Sequence, residues 1–249
     1  MTDSAGSTEV GASVGNGREP AVRVVELAKE FAGGVRALDG VTFDVPKGEL
    51  TSVIGPSGCG KTTTLKIVAG LIDATAGTVE VNGTPVTAPG PDRAFVFQDF
   101  ALMPWATVLR NAAFGLELRG VPRKEREEAA REYVDKVGLA RALAVDADIL
   151  LMDEPFASVD EQIRRKFQED LLRLLSDETK TVIFVTHSIE EAVYVSDQVV
   201  IMTRGPSRVS KVVRPGVDRS GGSDSIRRSP AYLDWVEQIW GELQGYLEG

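Results

Sequence analysis

An α/β fold with parallel strands is predicted by three observations. Short apolar runs of the buried-strand kind recur at 50–54, 94–97, 149–152, 181–186 and 199–203. Patterns of helical period separate several of them, as expected where strands alternate with helices. A glycine-rich loop, GPSGCGKT at 55–62, stands between the first of these runs and a helix pattern over 61–69.

The elements follow in order. Residues 1–20 are rich in Gly, Ser, Thr and Glu without periodicity and are read as a disordered tail. VRVVEL, LDGVTFDV and TVEVNGTPV read as strands, with Asn82-Gly83 as a hairpin turn. Residues 106–144 read as helical, with the charged piece RKEREEAAREYVDKV in the middle. Residues 215–228 form a Gly/Ser/Arg/Asp linker. Ser229-Pro230 then opens a last helix, Ser as cap and Pro at its first position. Its apolar stripe is Tyr232, Trp235, Val236, Ile239, Trp240, Leu243 and Leu247. Packing on the protein's own surface is the favoured reading of that stripe, and docking on a partner is the alternative.

Bulk properties narrow the function. The 249 residues suit one large domain or a domain with a subdomain, and 43% hydrophobic residues supply a full core. A net charge of -9 and a pI near 4.8 argue against nucleic-acid binding, which rests on Lys/Arg clusters. The one cysteine, Cys59, rules out an internal disulfide and a Cys-based zinc cluster. No apolar run approaches the roughly 18 residues of a membrane span, and MTDSAGSTEV lacks the features of a signal peptide.

The chemistry sits at the ends of the apolar runs. GPSGCGKT fits G-x-x-x-x-G-K-[ST] throughout, preceded by the strand LTSVI and followed by the helix KTTTLKIVAG. Glycines let such a loop close around phosphates, and the helix start adds its dipole. Lys61 would neutralise the β and γ phosphates, and the Thr62 hydroxyl would ligate Mg²⁺. Cys59, inside the loop, reads as a small tolerated side chain. Asp153, ending ILLMD, would hold the magnesium's water shell. Glu154 is one residue on, points the other way and would act as general base on an attacking water. His187, the one histidine, follows the strand TVIFVT, and strand C-termini are where open α/β sheets bind ligands. There it would contact the γ-phosphate and hold the water or Glu154.

Together these motifs resemble the ATP-binding subunit of ABC transporters, over roughly Val22 to Arg214. The resemblance implies a P-loop NTPase, RecA-like core, with an N-terminal antiparallel β subdomain and a helical subdomain over about 99–148. The nucleotide-binding domain would be 21–214, and 215–249 would hold the linker and amphipathic helix. GPSGCGKTT looks like the Walker A loop, which assigns Gly55, Pro56, Ser57, Gly58, Cys59, Gly60, Lys61, Thr62 and Thr63 to ATP. VFQDF looks like the Q-loop, Gln98 touching Mg²⁺. ILLMDEP looks like Walker B with its catalytic Glu154. FASVD looks like the D-loop, with Asp160 at a dimer seam, and VTHSIEEA like the H-loop. Phe31 sits where the family stacks an aromatic, usually Tyr, on adenine.

Leu102-Met103-Pro104-Trp105 and the closing RRSPAYLDWVEQI are similar to the nitrate/sulfonate/taurine importer group. The resemblance therefore implies an importer subunit on the inner face of the cell membrane. Residues Gln98–Trp105 would meet the permease, a second ATP-binding subunit would complete the dimer, and a solute-binding protein would act indirectly. One family part is missing. ARALAVDADILLMDEP is present, but no L-S-G-G-Q signature precedes it. KVGLA joins directly to RALAV, and only 55 positions separate Gln98 from Asp153. A deletion at Ala140-Arg141 is expected, leaving a truncated and less stable helical subdomain. The alternative function is then an ATP-binding subunit deficient in hydrolysis.

Overall fold

The computed structural model describes residues 19–97, 106–134, 147–157, 159–177 and 179–246. Its centre is a six-stranded sheet in the order β10-β9-β3-β8-β7-β6. These strands are Val209–Val213, Gln198–Met202, Leu50–Ile54, Thr181–Val185, Ile149–Asp153 and Arg93–Val96. The pairs from β6 through β7, β8 and β3 to β9 are parallel, and β10 closes the edge antiparallel. The predicted parallel α/β architecture is therefore the observed one.

Both faces of this sheet are covered, so its central strands read as unbroken apolar runs. Successive side chains point to opposite faces. Ile149, Leu151, Ile183, Val185, Val53 and Val200 face one core. There they meet α1 (Lys61–Val68) and a second sheet, ordered β2-β1-β4-β5. That sheet is antiparallel and comprises Val35–Pro46, Pro20–Phe31, Ala76–Val81 and Thr84–Pro85. Asn82 and Gly83, at φ 48° and 74°, make the expected turn between β4 and β5. Leu150, Met152, Val182, Phe184, Val199 and Ile201 face the other core, with Phe156, Leu171, Ala192 and Tyr232.

Two helices, α2 (Val108–Leu118) and α3 (Arg123–Val134), occupy part of the region read as helical. The junction Ala140-Arg141 and the stretch Gln98–Trp105 lie outside the described residues. Helix α4 (Glu161–Asp177) follows β7, and α5 (Ile189–Val195) follows β8. The region read as linker contains a short helix, α6 (Ser223–Arg227), and is tied to the domain. Arg219 pairs with Asp197 at 2.9 Å, and the Arg227 guanidinium lies 4.1 Å from the centre of the Tyr194 ring. Specific Arg contacts, invisible in a Gly/Ser-rich composition, hold this segment down.

The last helix, α7 (Pro230–Gln244), begins as expected. The Ser229 hydroxyl accepts the Tyr232 N–H and Pro230 opens the first turn. Tyr232, Ile239 and Leu243 are buried, in accord with packing on the protein's own surface. Trp240 departs from the stripe and remains 49% exposed. Leu247 lies outside the described residues.

Candidate active site

The C-terminal ends of β3, β7 and β8 are neighbours in the sheet, and the three chemical motifs leave from them. From β3 comes the phosphate loop. A Cβ at Gly55 would stand 2.8 Å from the Met202 carbonyl oxygen, so the chain passes too close to β9 for any side chain. Gly60, at φ 104°, caps α1, and a Cβ there would meet Leu38 at 2.6 Å. The loop turns inward between these two points, with Ser57 and Gly58 exposed at its tip.

Lys61 is buried, and its ammonium donates to the carbonyls of Gly55 at 2.9 Å and Pro56 at 3.1 Å. The loop thus holds its own cation, at a place where phosphate oxygens would take over as partners. The Thr62 hydroxyl donates to Asp153 Oδ1 at 2.9 Å. Burial pushes the Asp153 carboxyl above its ordinary range, and the negative Glu154 adds to this. The Thr62 hydrogen bond, Lys66 and Lys61 pull the other way. Thr62 and Asp153 together offer two hard oxygens side by side. That fits Mg²⁺, which takes one or two protein ligands and fills its shell with phosphate and water. Thr63 is half-buried in the first turn of α1. Cys59 is buried, and burial raises its thiol pKa, which leaves it protonated and inert.

From β7 and β8 come the acid and the imidazole. Glu154 sits at φ 46°, in the left-handed region that residues other than Gly rarely enter, at a cost of about 1–3 kcal/mol. Its N–H donates to the Val185 carbonyl at 2.9 Å, which pins it to the end of β8. Its carboxylate Oε2 lies 3.1 Å from His187 Nδ1. The Glu154 side chain is 19% exposed and that of His187 62%. An acid and a base in contact, open to solvent beside a phosphate loop, form an arrangement suited to activating a water molecule.

The remaining candidates fall elsewhere. The Asp160 carboxylate caps α4, accepting the N–H groups of Gln162 and Ile163, each at 3.1 Å, and the residue is exposed. Phe31 ends β1, 42% exposed, with the Lys29 ammonium 5.3 Å from its ring centre. Gln98 lies outside the described residues.

Sequence reasoning missed a cluster behind His187. The Thr186 hydroxyl donates to Glu191 Oε2 at 2.6 Å and accepts the Ser188 N–H at 3.1 Å. Arg164 faces the same carboxylate from α4. No short pattern marks it: in the sequence Glu191 is one more acid in the first turn of a helix, and only the fold buries it.

A glycine loop cradling a lysine, a hydroxyl paired with a strand-end aspartate and a reactive edge beside them define a P-loop nucleoside triphosphatase. Comparisons with known proteins give the particular family. The family model described as ABC transporter matches residues 38–157. An uncharacterized ABC transporter ATP-binding protein of Methanocaldococcus jannaschii is 45% identical over 242 residues, 88% of this chain and 89% of the relative. The taurine import ATP-binding protein TauB of Chromobacterium violaceum is 40% identical over 232 residues, 83% of this chain and 89% of the relative. A dimeric ATP-binding cassette in a post-hydrolysis state, bound to ADP and Pi, superposes with a TM-score of 0.68. It is 27% identical and covers 78% of this chain and 98% of its own. The chain belongs to the ABC transporter ATP-binding family, as an ATP-binding subunit with the ATPase fold of that family.

These alignments also carry a length difference. The one with the Methanocaldococcus relative runs over 242 residues but takes in 88% of this 249-residue chain, about 219, so about 23 of its positions meet no residue here. Among the described residues no helix is long and apolar enough to cross a membrane.

Proposed function

We propose that this chain is the ATP-hydrolysing subunit of an importer for a small anion, of the nitrate, sulfonate or taurine kind. It would work on the inner face of the membrane with permease subunits, docked around Gln98–Trp105, and with a second ATP-binding subunit. The taurine-import relatives at 38–40% identity support the solute class. The observation that carries the enzymatic reading is the juxtaposition of Lys61, Thr62, Asp153, Glu154 and His187 on the adjoining ends of β3, β7 and β8.

In this reading Lys61 exchanges the Gly55 and Pro56 carbonyls for phosphate oxygens and neutralises their charge. Thr62 and Asp153 hold Mg²⁺, which withdraws charge from the phosphates when bound. Glu154 accepts a proton from the attacking water. His187 holds Glu154 and reaches the γ-phosphate. Phe31 stacks on adenine, and Asp160 stands at the dimer seam.

A second reading has its own observation. The roughly 23 alignment positions without a counterpart here support a chain shortened by about that length. The absent L-S-G-G-Q, with KVGLA joined to RALAV, fits the same loss. A chain without the signature binds ATP but lacks the wall that a second subunit closes against.

Mg²⁺-dependent ATP hydrolysis by the purified chain, measured across protein concentrations with nucleotide binding read in the same samples, separates the two. Hydrolysis that rises more than linearly with concentration and disappears in Lys61→Ala supports the first reading. Binding without hydrolysis supports the second.

A further inference from the structure

Glu154 and His187 meet across a gap between two loops, one leaving β7 and one leaving β8. The same two loops are joined again on their far side. After β7 the chain turns through Phe156, whose carbonyl accepts the Val159 N–H at 3.2 Å, and enters α4. The guanidinium of Arg164, in the first turn of α4, donates back to the Val159 carbonyl at 3.0 Å. Its Nε lies 3.6 Å from Glu191 Oε1, an ion pair too long for a hydrogen bond. The other oxygen of Glu191 accepts the Thr186 hydroxyl at 2.6 Å. Thr186 precedes His187 and also accepts the N–H of Ser188, which follows it. The Ser188 hydroxyl accepts the Glu191 N–H at 3.2 Å.

A closed ring results: Glu154, the β7 loop, Arg164, Glu191, Thr186, His187 and back to Glu154. Glu191 is 8% exposed; burial pushes its carboxyl above the ordinary range, and the Thr186 hydrogen bond and the Arg164 charge offset part of that. The purely structural role of capping α5 is already filled by Ser188. The Glu191 side chain instead spends both oxygens on the loop ahead of the helix and on α4.

We propose that Glu191 is a positioning residue: acting through Thr186 and Arg164, it fixes the His187 backbone so that the imidazole stays within hydrogen-bond reach of Glu154. The proposal rests on reading Glu154 and His187 as the reactive pair, but its test does not use hydrolysis. Because His187 is the one histidine in the chain, ¹⁵N labelling of histidine gives one imidazole to follow without assignment.

The experiment is a double-mutant cycle on the full chain. Glu154→Gln is expected to displace the His187 ring ¹⁵N resonances, because the two side chains touch. In the Glu191→Ala background the same change is expected to produce less than half that displacement. Glu191→Gln keeps an acceptor for Thr186 and is expected to restore most of it. Should Glu191→Ala fail to fold, Thr186→Val, which removes only the hydroxyl, takes its place with the same expectation. An undiminished displacement in a folded Glu191→Ala or Thr186→Val protein overturns the proposal. Loss of ATPase activity in Glu154→Gln tests the reactive pair separately, so failure of that reading is distinguishable from failure of the ring.

Discussion

The phosphate-loop edge and the His187 edge lie side by side at the top of one sheet, yet they are built oppositely. At the loop, Lys61 is buried against two carbonyls and Thr62 is hydrogen-bonded to Asp153. The protein itself supplies partners there, and in the proposed reading a nucleotide would take their place. At the other edge His187 is 62% exposed, touches Glu154 at 3.1 Å, and is braced from behind by Thr186, Glu191 and Arg164. The difference separates holding from acting. A satisfied loop loses little when ligand is absent, whereas an exposed acid–imidazole pair is left free to meet a water and a second surface.

The largest expected effect breaks the acting edge alone. Glu154→Gln removes the proposed proton acceptor and keeps the shape, so hydrolysis should fall by about 10²–10⁴-fold while ATP binding stays within a few-fold. Steady-state ATPase rates beside equilibrium nucleotide binding check this. Equal losses in both would dissolve the distinction between the edges. Next comes the holding edge. Lys61→Ala deletes charged hydrogen bonds worth roughly 1.5–3 kcal/mol each, so ATP affinity should fall about 100-fold or more. His187 resonances should not move in that variant if the edges are independent.

Acid should weaken the holding edge through Asp153. Its folded carboxyl is raised by burial above that of an unfolded aspartate, so the folded state takes up a proton first. Stability from this group is fully present below the unfolded value and is lost as pH rises through the folded one. Metal binding runs the other way, since it needs the ionised form. The Mg²⁺-dependent part of ATP affinity should therefore shrink by up to about tenfold per pH unit as pH falls through the raised range. Titrations with Mg²⁺ and with EDTA isolate that part. A Mg²⁺ increment that stays flat on acidification would remove Asp153 from the metal.

The two edges were unequally legible in the sequence. The loop announced itself because its chemistry is local: glycines, lysine and threonine lie within eight consecutive residues, flanked by strand and helix. The parallel core was legible because strands buried on both faces leave continuous apolar runs. Asp153, Glu154 and His187 could be placed at strand ends, but their contacts depend on the order β3-β8-β7, which no short pattern carries. The left-handed backbone of Glu154 gave no sign, since glutamate is not a residue that marks such a conformation. Arg164 and Glu191 were invisible for the same reason as the Arg219 and Arg227 anchors. Each is an ordinary surface-type charge until the fold sets it against a partner 22 to 33 residues away.

The smallest expected effect concerns the support of the acting edge. The Tyr232 hydroxyl, on α7, donates to the Glu190 carbonyl at 3.1 Å, in the first turn of the helix that follows His187. Tyr232→Phe removes that bond, together with the hydroxyl's interaction with Arg227, and leaves the buried ring in place, a loss of roughly 0.5–1.5 kcal/mol per bond by chemical denaturation. Because the contact bears on α5 and not on the phosphate loop, ATP affinity should be unchanged while the His187 resonances shift or broaden. The converse outcome, weaker ATP binding with a silent histidine, would mean that the C-terminal helix supports the sheet as a whole. The two edges would then share one foundation, and their contrast would be confined to the side chains that face the nucleotide.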